Sequence, residues 1–171
     1  TSRREVALQS SFEAIKVMAR ELGLNRILYP PQKGERVPLG FVASGMSYSY
    51  LNHALSEMGI VGRLPVLKVG LSYPLDEAIV VEFAERCETI VVVEERRSFI
   101  ERQVVGILHP LKQAGELAVE VYGKEFPGVL AGIGSTGGLN PSILIERLTP
   151  LVRAYSGLPI ELTNSRLNRL V

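Results

Sequence analysis

Three turns of this 171-residue chain carry residues that could do chemistry, and the first consists of Ser44, Gly45, Met46, Ser47 and Tyr48. It lies between a predicted strand and a predicted helix. Glycine lets the backbone approach a ligand closely, and the free amides at the start of a helix attract a phosphate or a carboxylate. The same pattern is typical of an ordinary strand-to-helix turn with a serine cap. Both interpretations stay open for this turn.

The second turn, Glu94-Glu95-Arg96-Arg97, directly follows the most apolar strand in the sequence. A carboxylate at a strand end can act as a general acid or base if burial raises its pKa. Charged residues in this position also commonly pair with their neighbours or favour the start of the next helix. Glu94 and Glu95 are therefore candidates for lining a ligand site or an interface.

The third turn, Gly132 to Gly137, matches the pattern G-x-G-x-x-G letter for letter. A dinucleotide site needs a firm strand immediately before the first glycine and a helix that opens at the third. Here Pro127 and Gly128 interrupt the preceding stretch, and Asn140-Pro141 places the helix start later. A dinucleotide site is therefore not expected. Whether Gly132 to Gly138 binds another ligand stays open.

The remaining reactive side chains are sparse and far apart. Cys87 is the single cysteine, which excludes an internal disulfide framework, a cysteine-based zinc site and a self-contained iron–sulfur cluster. We expect it to be a small apolar filler. His53 and His109 have no nucleophile or second histidine at a useful spacing, so surface or helix-end roles are expected for both. The chain itself is expected to hold no metal and no catalytic residue.

The composition describes a globular domain without a strong field. The chain is 46% hydrophobic and 22% charged, and its formal net charge is +1. Such a balance does not attract nucleic acid or anionic lipid, and the apolar runs are too short to span a membrane. We expect a cytoplasmic protein with no nucleic-acid or membrane partner. Because there is no initiator Met and no signal-type segment, a piece of a longer protein is expected.

Regular alternation of strands and helices predicts parallel strands joined by crossover helices. We predict a three-layer α/β domain at residues 38–156, with a mostly parallel sheet flanked by helices. A helical arm and linker occupy residues 1–37, and a strand or tail occupies residues 157–171. The predicted strands cover residues 39–43, 65–69, 89–93, 117–121 and 158–162, and the predicted helices cover 3–23, 48–58, 74–86, 98–115 and 140–154. The linker at residues 25–38 is predicted to be a loop.

Two helix starts have explicit capping signals. Ser98 and Glu101 form the pattern S-x-x-E, in which each side chain binds the backbone amide of the other residue. This capping box gives Glu101 a structural role. Asn140 followed by Pro141 is the usual combination of an N-cap and a first helical residue.

Five short stretches, in order along residues 24–150, resemble those of the large subunit of indolepyruvate ferredoxin oxidoreductases. Gly40 to Tyr48, GFVASGMSY, resembles that family's GIITSGISY. The other four are Tyr73-Pro74-Leu75 (family YPLP), Val92-Val93-Glu94-Glu95 with Phe99-Ile100-Glu101 (VVEE…PFIE), Tyr122-Gly123-Lys124 (GK) and Gly138-Leu139-Asn140-Pro141 (GELxP). Asn25 occupies the place of a family asparagine. The chain departs from the family at Leu139, at His53 and at Arg96-Arg97.

The resemblance implies the second domain of a 2-oxoacid:ferredoxin oxidoreductase, with a fold similar to the C-terminal domain of transketolase. For the parent enzyme it implies thiamine diphosphate, magnesium and [4Fe-4S] clusters as cofactors, and ferredoxin and coenzyme A as partners. It also implies other domains and subunits of the parent, in a homo- or hetero-oligomer. The substrate stays open between indolepyruvate and the broader class of 2-oxoacids.

Three hypotheses about function follow from these observations. In the first, the chain is a structural module that packs against the cofactor modules and lines a channel, with Ser44 to Tyr48 nearest the ligand. In the second, it is a free-standing module that binds a nucleotide or coenzyme A through its glycine-rich turns. In the third, it is a scaffold for subunit assembly alone.

Overall fold

The computed structural model describes residues 2–162 as a five-stranded sheet covered by helices on both faces. The chain order of the elements is α1 Ser2–Glu21, β1 Arg26–Leu28, β2 Val37–Ser44, α2 Gly45–Glu57, β3 Val66–Val69, α3 Glu77–Ala84, β4 Cys87–Val93, α4 Ile100–Gln113, β5 Glu120–Tyr122 and α5 Pro141–Ser156. None of the helices in these residues is long and apolar enough to cross a membrane.

The strands lie in the order β1-β3-β2-β4-β5. β2, β3, β4 and β5 are parallel, whereas β1 pairs with β3 in the antiparallel direction. In the central pair, Leu39 lies opposite Thr89 and Ala43 opposite Val93. The carboxyl ends of β2 and β4 therefore lie side by side, and so do the turns that follow them. The predicted fold class, a three-layer and mostly parallel α/β sheet, is confirmed.

Two apolar cores lie on opposite faces of the sheet. On one face, Phe41 and Val91 pack with residues of α2 and α5 such as Leu51 and Leu148. On the other face, neighbouring strand residues pack with α3 and α4; examples are Val42, Ile90, Val92, Phe83 and Val104. Successive residues of β2 and β4 point to opposite faces, so a strand covered on both sides must be apolar throughout.

Helix α1 attaches to the rest of the domain through charged contacts near the start of α3. The Arg20 guanidinium donates to both carboxylate oxygens of Asp76, at 2.6 and 2.9 Å. Lys16 Nζ lies 2.6 Å from Glu77 Oε1. Asp76 is buried and also accepts the amide of Ala78 as the N-cap of α3. The predicted helical arm therefore exists and is held by ion pairs at its carboxyl-terminal half.

The structure corrects two predicted segments, one before and one after the central part of the chain. The predicted loop at residues 25–38 contains β1, which was missed because it is a three-residue edge strand next to two prolines. The predicted strand at residues 158–162 is wrong, since the structure shows no strand there. The amide of Glu161 donates to the carbonyl of Met58 after α2, at 3.3 Å, so this segment lies on the helical layer. Residues 163–171 of the predicted tail lie outside the described residues.

Candidate functional site

The candidate site lies at the carboxyl edge of the sheet, where β2 ends at Ser44 and β4 ends at Val93. Ligands of parallel α/β sheets collect at this edge. The structure thus places the first two predicted turns next to each other. The glycine-rich turn follows β5 and returns to the same edge, beside the turn that follows β4.

Glu94 is a buried carboxylate at this edge, and its oxygens accept hydrogen bonds from the start of α4. Oε1 accepts the amides of Phe99 at 3.0 Å and Glu101 at 3.1 Å, and Oε2 accepts the amide of Ile100 at 2.8 Å. Amides at a helix start lack acceptors within the helix, and a carboxylate there also matches the positive end of the helix dipole. Glu94 therefore fastens the end of β4 to the start of α4.

The predicted capping box at Ser98 and Glu101 is wrong, because Glu94 accepts the amide that Ser98 was expected to bind. Instead, the Ser98 hydroxyl donates to Glu101 Oε2 at 2.8 Å. The same carboxylate oxygen accepts the amide of Lys124 at 3.3 Å. Glu101 therefore joins α4 to the loop after β5, which is a tertiary role that a local sequence pattern does not reveal.

Lys124 is a residue of this edge that sequence reasoning did not single out as functional. Its ammonium group donates to the backbone carbonyl of Glu94. Burial lowers the pKa of Lys124, while the nearby carboxylates of Glu94, Glu101 and Glu95 act in the opposite direction. The sequence contained a signal for Lys124, because the stretch Tyr122-Gly123-Lys124 resembles the family's GK. The sequence alone did not indicate which residue the lysine contacts.

Glu95 faces the glycine-rich loop across a cavity of about 210 Å³. A Cβ atom added to Gly138 would lie 3.7 Å from Glu95 Oε1. The cavity is lined by side chains and backbone from both turns and from the first part of α5: Glu94, Glu95, Arg96, Gly132, Ile133, Gly134, Thr136, Gly137, Gly138, Leu139, Ile143 and Arg147. The structure therefore brings the second and third predicted turns into one site.

The glycine-rich loop does not have the form of a dinucleotide site. β5 ends at Tyr122 and α5 begins at Pro141, so neither element adjoins the glycine pattern. Asn140 caps α5, with its Oδ1 accepting the amide of Ile143 at 3.0 Å, and this agrees with the predicted helix start. The positions of β5 and α5 thus agree with the prediction that the G-x-G-x-x-G match is not a dinucleotide site.

The Ser44–Tyr48 turn is the first turn of α2 rather than a separate loop. Ser44 occupies the N-cap position but its side chain makes no capping hydrogen bond, and Gly45 has a left-handed backbone with φ of 48°. Met46 is 62% exposed, whereas Ser47 is buried. Lys68 Nζ lies 4.5 Å from the centre of the Tyr48 ring, and burial raises the pKa of Tyr48. None of these residues lines the cavity beside Glu95.

A larger groove, of about 930 Å³, lies between α1 and α4 and contains none of the predicted site residues. Its walls include Phe12, Tyr73, Gln103 and Pro110. The rings of Phe12 and Tyr73 meet edge to face at 5.6 Å, and Phe99 lies 6.1 Å from Tyr73. This groove therefore lies apart from the turns that the sequence singled out.

The described residues do not fit a metal or a cluster. Within residues 2–162 no group of His, Cys, Asp or Glu side chains is arranged to hold a metal ion. Cys87 is buried in the core of α3 and α4, and burial raises the pKa of its thiol to about 12. A [4Fe-4S] cluster needs several thiolates, and this chain has one cysteine.

Residues 31–141 match the family model described as the indolepyruvate oxidoreductase domain. The chain is 33% identical over 117 residues to indolepyruvate oxidoreductase subunit IorA of Methanothermobacter thermautotrophicus, covering 68% of the chain and 18% of that protein. It is 34% identical over 122 residues to subunit IorA of Methanothermobacter marburgensis, covering 71% and 18%. The chain thus spans about a fifth of the length of these curated relatives.

Among solved structures, the chain is similar to a 2-oxoglutarate:ferredoxin oxidoreductase from Magnetococcus marinus with 2-oxoglutarate, coenzyme A and succinyl-CoA bound. The TM-score is 0.44 at 14% identity, covering 74% of this chain and 19% of that one. A split gene transketolase, described as an inactive beta4 tetramer, also has a TM-score of 0.44, at 15% identity, covering 71% and 39%.

Proposed function

Because the chain belongs to the indolepyruvate oxidoreductase domain family, we propose that it is a structural module of a thiamine diphosphate-dependent 2-oxoacid:ferredoxin oxidoreductase. The match over residues 31–141 is the observation that carries this proposal. The module packs against the parts that bind the cofactors and lines a channel for the substrate or coenzyme A. Indolepyruvate is the proposed substrate class within the 2-oxoacids, and the cytoplasm is the proposed location.

The contacts of Glu94 support a structural role at the sheet edge. A general acid or base needs an oxygen that can exchange a proton with the substrate. Both oxygens of Glu94 instead accept amides of α4, at 2.8 to 3.1 Å. Its carboxylate holds the end of β4 against the start of α4. This contact suits a module that presents a rigid edge to a neighbouring active site.

Thiamine diphosphate, magnesium and [4Fe-4S] clusters belong, in this proposal, to other parts of the parent enzyme. The described residues offer no grouping of ligands for a metal, and the buried Cys87 is held as a neutral thiol. Ferredoxin and coenzyme A are likewise proposed as partners of the parent. No chemical step is assigned to the residues of this chain.

The outer face of α1 supports an assembly role for the same module. Leu8, Ile15 and Met18 of α1, with Leu22 just after its end, recur at helical spacing and are 38 to 65% exposed. Contiguous exposed apolar patches mark interaction surfaces in many proteins. We propose that other parts of the parent enzyme cover this stripe, which would join the structural role to subunit assembly.

A pair of variants tests the channel role in the full-length enzyme. Met46→Glu places a charge at an exposed residue of the Ser44–Tyr48 turn. Val61→Glu places the same charge on the loop before β3, at the opposite edge of the sheet. We expect Met46→Glu to raise the KM for the 2-oxoacid or for coenzyme A, or to lower turnover. The assay is 2-oxoacid-dependent reduction of ferredoxin, and Val61→Glu should leave it unchanged.

Equal activity of both variants and the unaltered enzyme would contradict a channel role for this turn. Calorimetry of the isolated chain with thiamine diphosphate provides an independent measurement. Since the cofactor is assigned elsewhere, no saturable binding is expected. Micromolar binding by the isolated chain would mean that the assignment of the cofactor to other modules is wrong.

A further inference from the structure

We propose that the cavity between the Glu94–Arg96 turn and the Gly132–Leu139 loop binds a phosphate-class anion, either a diphosphate or a phosphate monoester. This loop-and-turn cavity is built entirely from residues of this chain. The proposal concerns a ligand site, goes beyond the proposed structural role and does not depend on it.

The backbone of the loop has unused hydrogen-bond donors. Within residues 2–162, the amides from Gly134 to Leu139 donate to no protein acceptor. Gly134 and Gly137 have left-handed backbones, with φ of 51° and 81°. Successive amides in turns of this kind form concave donors for anions, as they do in phosphate-binding loops. An anion in the cavity could accept these amides.

The loop is held in place rather than hanging free at the edge of the sheet. The amide of Ile133 donates to the carbonyl of Gly123 at 3.0 Å. A Cβ atom on Gly132 would lie 2.2 Å from the carbonyl oxygen of Lys124, so the two backbones touch at that point. Lys124 is in turn bound to Glu94 through its ammonium group. The start of the loop is therefore anchored to the segment after β5, and less ordering is needed when a ligand binds.

Two arginines from different elements supply positive charge to the cavity. Arg96 comes from the turn after β4, and no protein partner for its guanidinium is found among the described residues. Arg147 comes from α5, and its Nη2 lies 3.5 Å from Glu146 Oε1, longer than a strong charged hydrogen bond. Arginine pairs phosphate oxygens in a two-pronged geometry, which favours this class of ligand.

The negative charge of Glu95 lies at the same cavity and weakens the binding of an anion there. The proposal therefore predicts the sign of the effect when this charge is removed. The side chain of Glu95 is exposed and lies beside Gly138. The charge of Glu94, by contrast, is directed to the amides of α4. If an anion binds here, removing the charge of Glu95 must strengthen binding, whereas removing either arginine charge must weaken it.

The size of the cavity limits the ligand. Pockets for whole cofactors and drug-sized molecules occupy roughly 300 to 1,000 Å³. The cavity here is about 210 Å³, which suits an anionic head group and leaves no room for a complete dinucleotide. This agrees with the missing strand and helix on either side of the G-x-G-x-x-G pattern.

Titration of the ¹⁵N-labelled chain with inorganic pyrophosphate tests the proposal. We expect saturable shifts at the amides of Gly134 to Leu139, with a Kd of about 0.1 to 1 mM. Arg147→Gln and Arg96→Gln should each weaken binding by about fivefold or more, and Glu95→Gln should strengthen it. Arg153→Gln, with the same charge change in the same helix but outside the cavity, is the matched control and should change nothing.

Three further ligands distinguish the source of the phosphate. Adenosine should give no shift at the loop, because it has no phosphate. Inorganic phosphate should shift the same amides more weakly than pyrophosphate. If coenzyme A binds more tightly than pyrophosphate, the ligand is a diphosphate that forms part of a larger molecule. If the two affinities are equal, the ligand is free pyrophosphate. Both outcomes support the site.

Two results would overturn the proposal. One is a lack of saturation at about 10 mM pyrophosphate, since binding that weak is not a site. The other is an equal effect of Arg153→Gln and Arg147→Gln, which would indicate attraction by the overall charge alone. Glu95→Gln keeps the test informative if an arginine variant is unstable, because Glu95 is exposed and its replacement leaves the packing intact.

Discussion

The carboxylate of Glu94 accepts the backbone amide of Ile100 at 2.8 Å, which links the residue after β4 to the first residue of α4. The two neighbouring amides bind the other oxygen of the same group. A side chain six positions earlier in the chain thus does the work that a local capping box was expected to do. These contacts hold the start of α4 against the end of β4 at the carboxyl edge of the sheet.

Replacing Glu94 by Ala is expected to destabilise the domain by about 1–3 kcal/mol, because it leaves donors at the start of α4 without an acceptor. The free energy of unfolding in urea, followed by far-UV circular dichroism, measures the effect. Glu95→Ala is the control, since Glu95 is exposed and holds no helix end. Equal loss of stability in both variants would contradict the capping role of Glu94.

Adding a methyl group at Gly40 is expected to destabilise the domain, because its Cβ would lie 2.5 Å from Cys87 Sγ and 2.8 Å from Phe83 Cζ. Overpacking of this kind in a core costs about 1–3 kcal/mol. Gly106→Ala is the matched control: nothing lies within 4 Å of its new Cβ, and alanine favours the interior of α4. Thermal unfolding should therefore show a lower Tm for Gly40→Ala and an unchanged or higher Tm for Gly106→Ala.

The clash at Gly40 should be relieved when the sulfur is removed. In the double variant Gly40→Ala with Cys87→Ala, the new methyl group can occupy part of the space of Sγ. We expect the double variant to be more stable than the sum of the two single effects predicts, by about 0.5–3 kcal/mol. Additive effects in the double-mutant cycle would mean that the two residues do not compete for the same space.

Stability should fall at alkaline pH through Cys87. Burial raises the pKa of its thiol from 9.0 to about 12, so the folded state keeps a proton that the unfolded chain loses above pH 9. The contribution is fully present below pH 9 and is lost as the pH rises toward 12, by about 1.4 kcal/mol per pH unit at most. Between pH 8 and pH 10 the unfolding free energy of the unaltered chain should fall by more than that of Cys87→Ala, and an equal fall in both would contradict this origin.

Removing the guanidinium in Arg20→Ala is expected to loosen α1. Asp76 is buried and receives two hydrogen bonds from Arg20, so the variant leaves its carboxylate without that partner. Hydrogen exchange in α1 should accelerate while exchange in β2 and β4 stays slow. Arg86→Ala breaks a surface ion pair with Glu82 at the end of α3 and should leave α1 unchanged. Unaltered protection of α1 in Arg20→Ala would show that other contacts hold the helix.

Hydrophobic pattern was sufficient for the central part of the fold. Strand β4 is apolar on both faces, and this pattern has few solutions other than a strand covered by two helical layers. Asn140 and Pro141 likewise predicted the start of α5, because N-capping depends on neighbouring residues. The prediction was wrong where partners are remote: β1 exists through its pairing with β3, and residues 158–162 lie on the helical layer near α2.

The sequence by itself determined the α/β class, the parallel centre of the sheet, the family and the chemical types present in the three turns. Periodicity, capping and short collinear motifs are local properties, and they can be read without knowing which elements meet. Only the tertiary structure decided that Glu94 caps α4 and that Lys124 binds both Glu94 and Glu101. It also decided that the turn of Glu95 shares a cavity with the glycine-rich loop. The physical reason is that crossover connections bring the ends of strands that are distant in sequence to one edge of the sheet. The hydrogen-bond partners of each side chain depend on which residues meet at that edge.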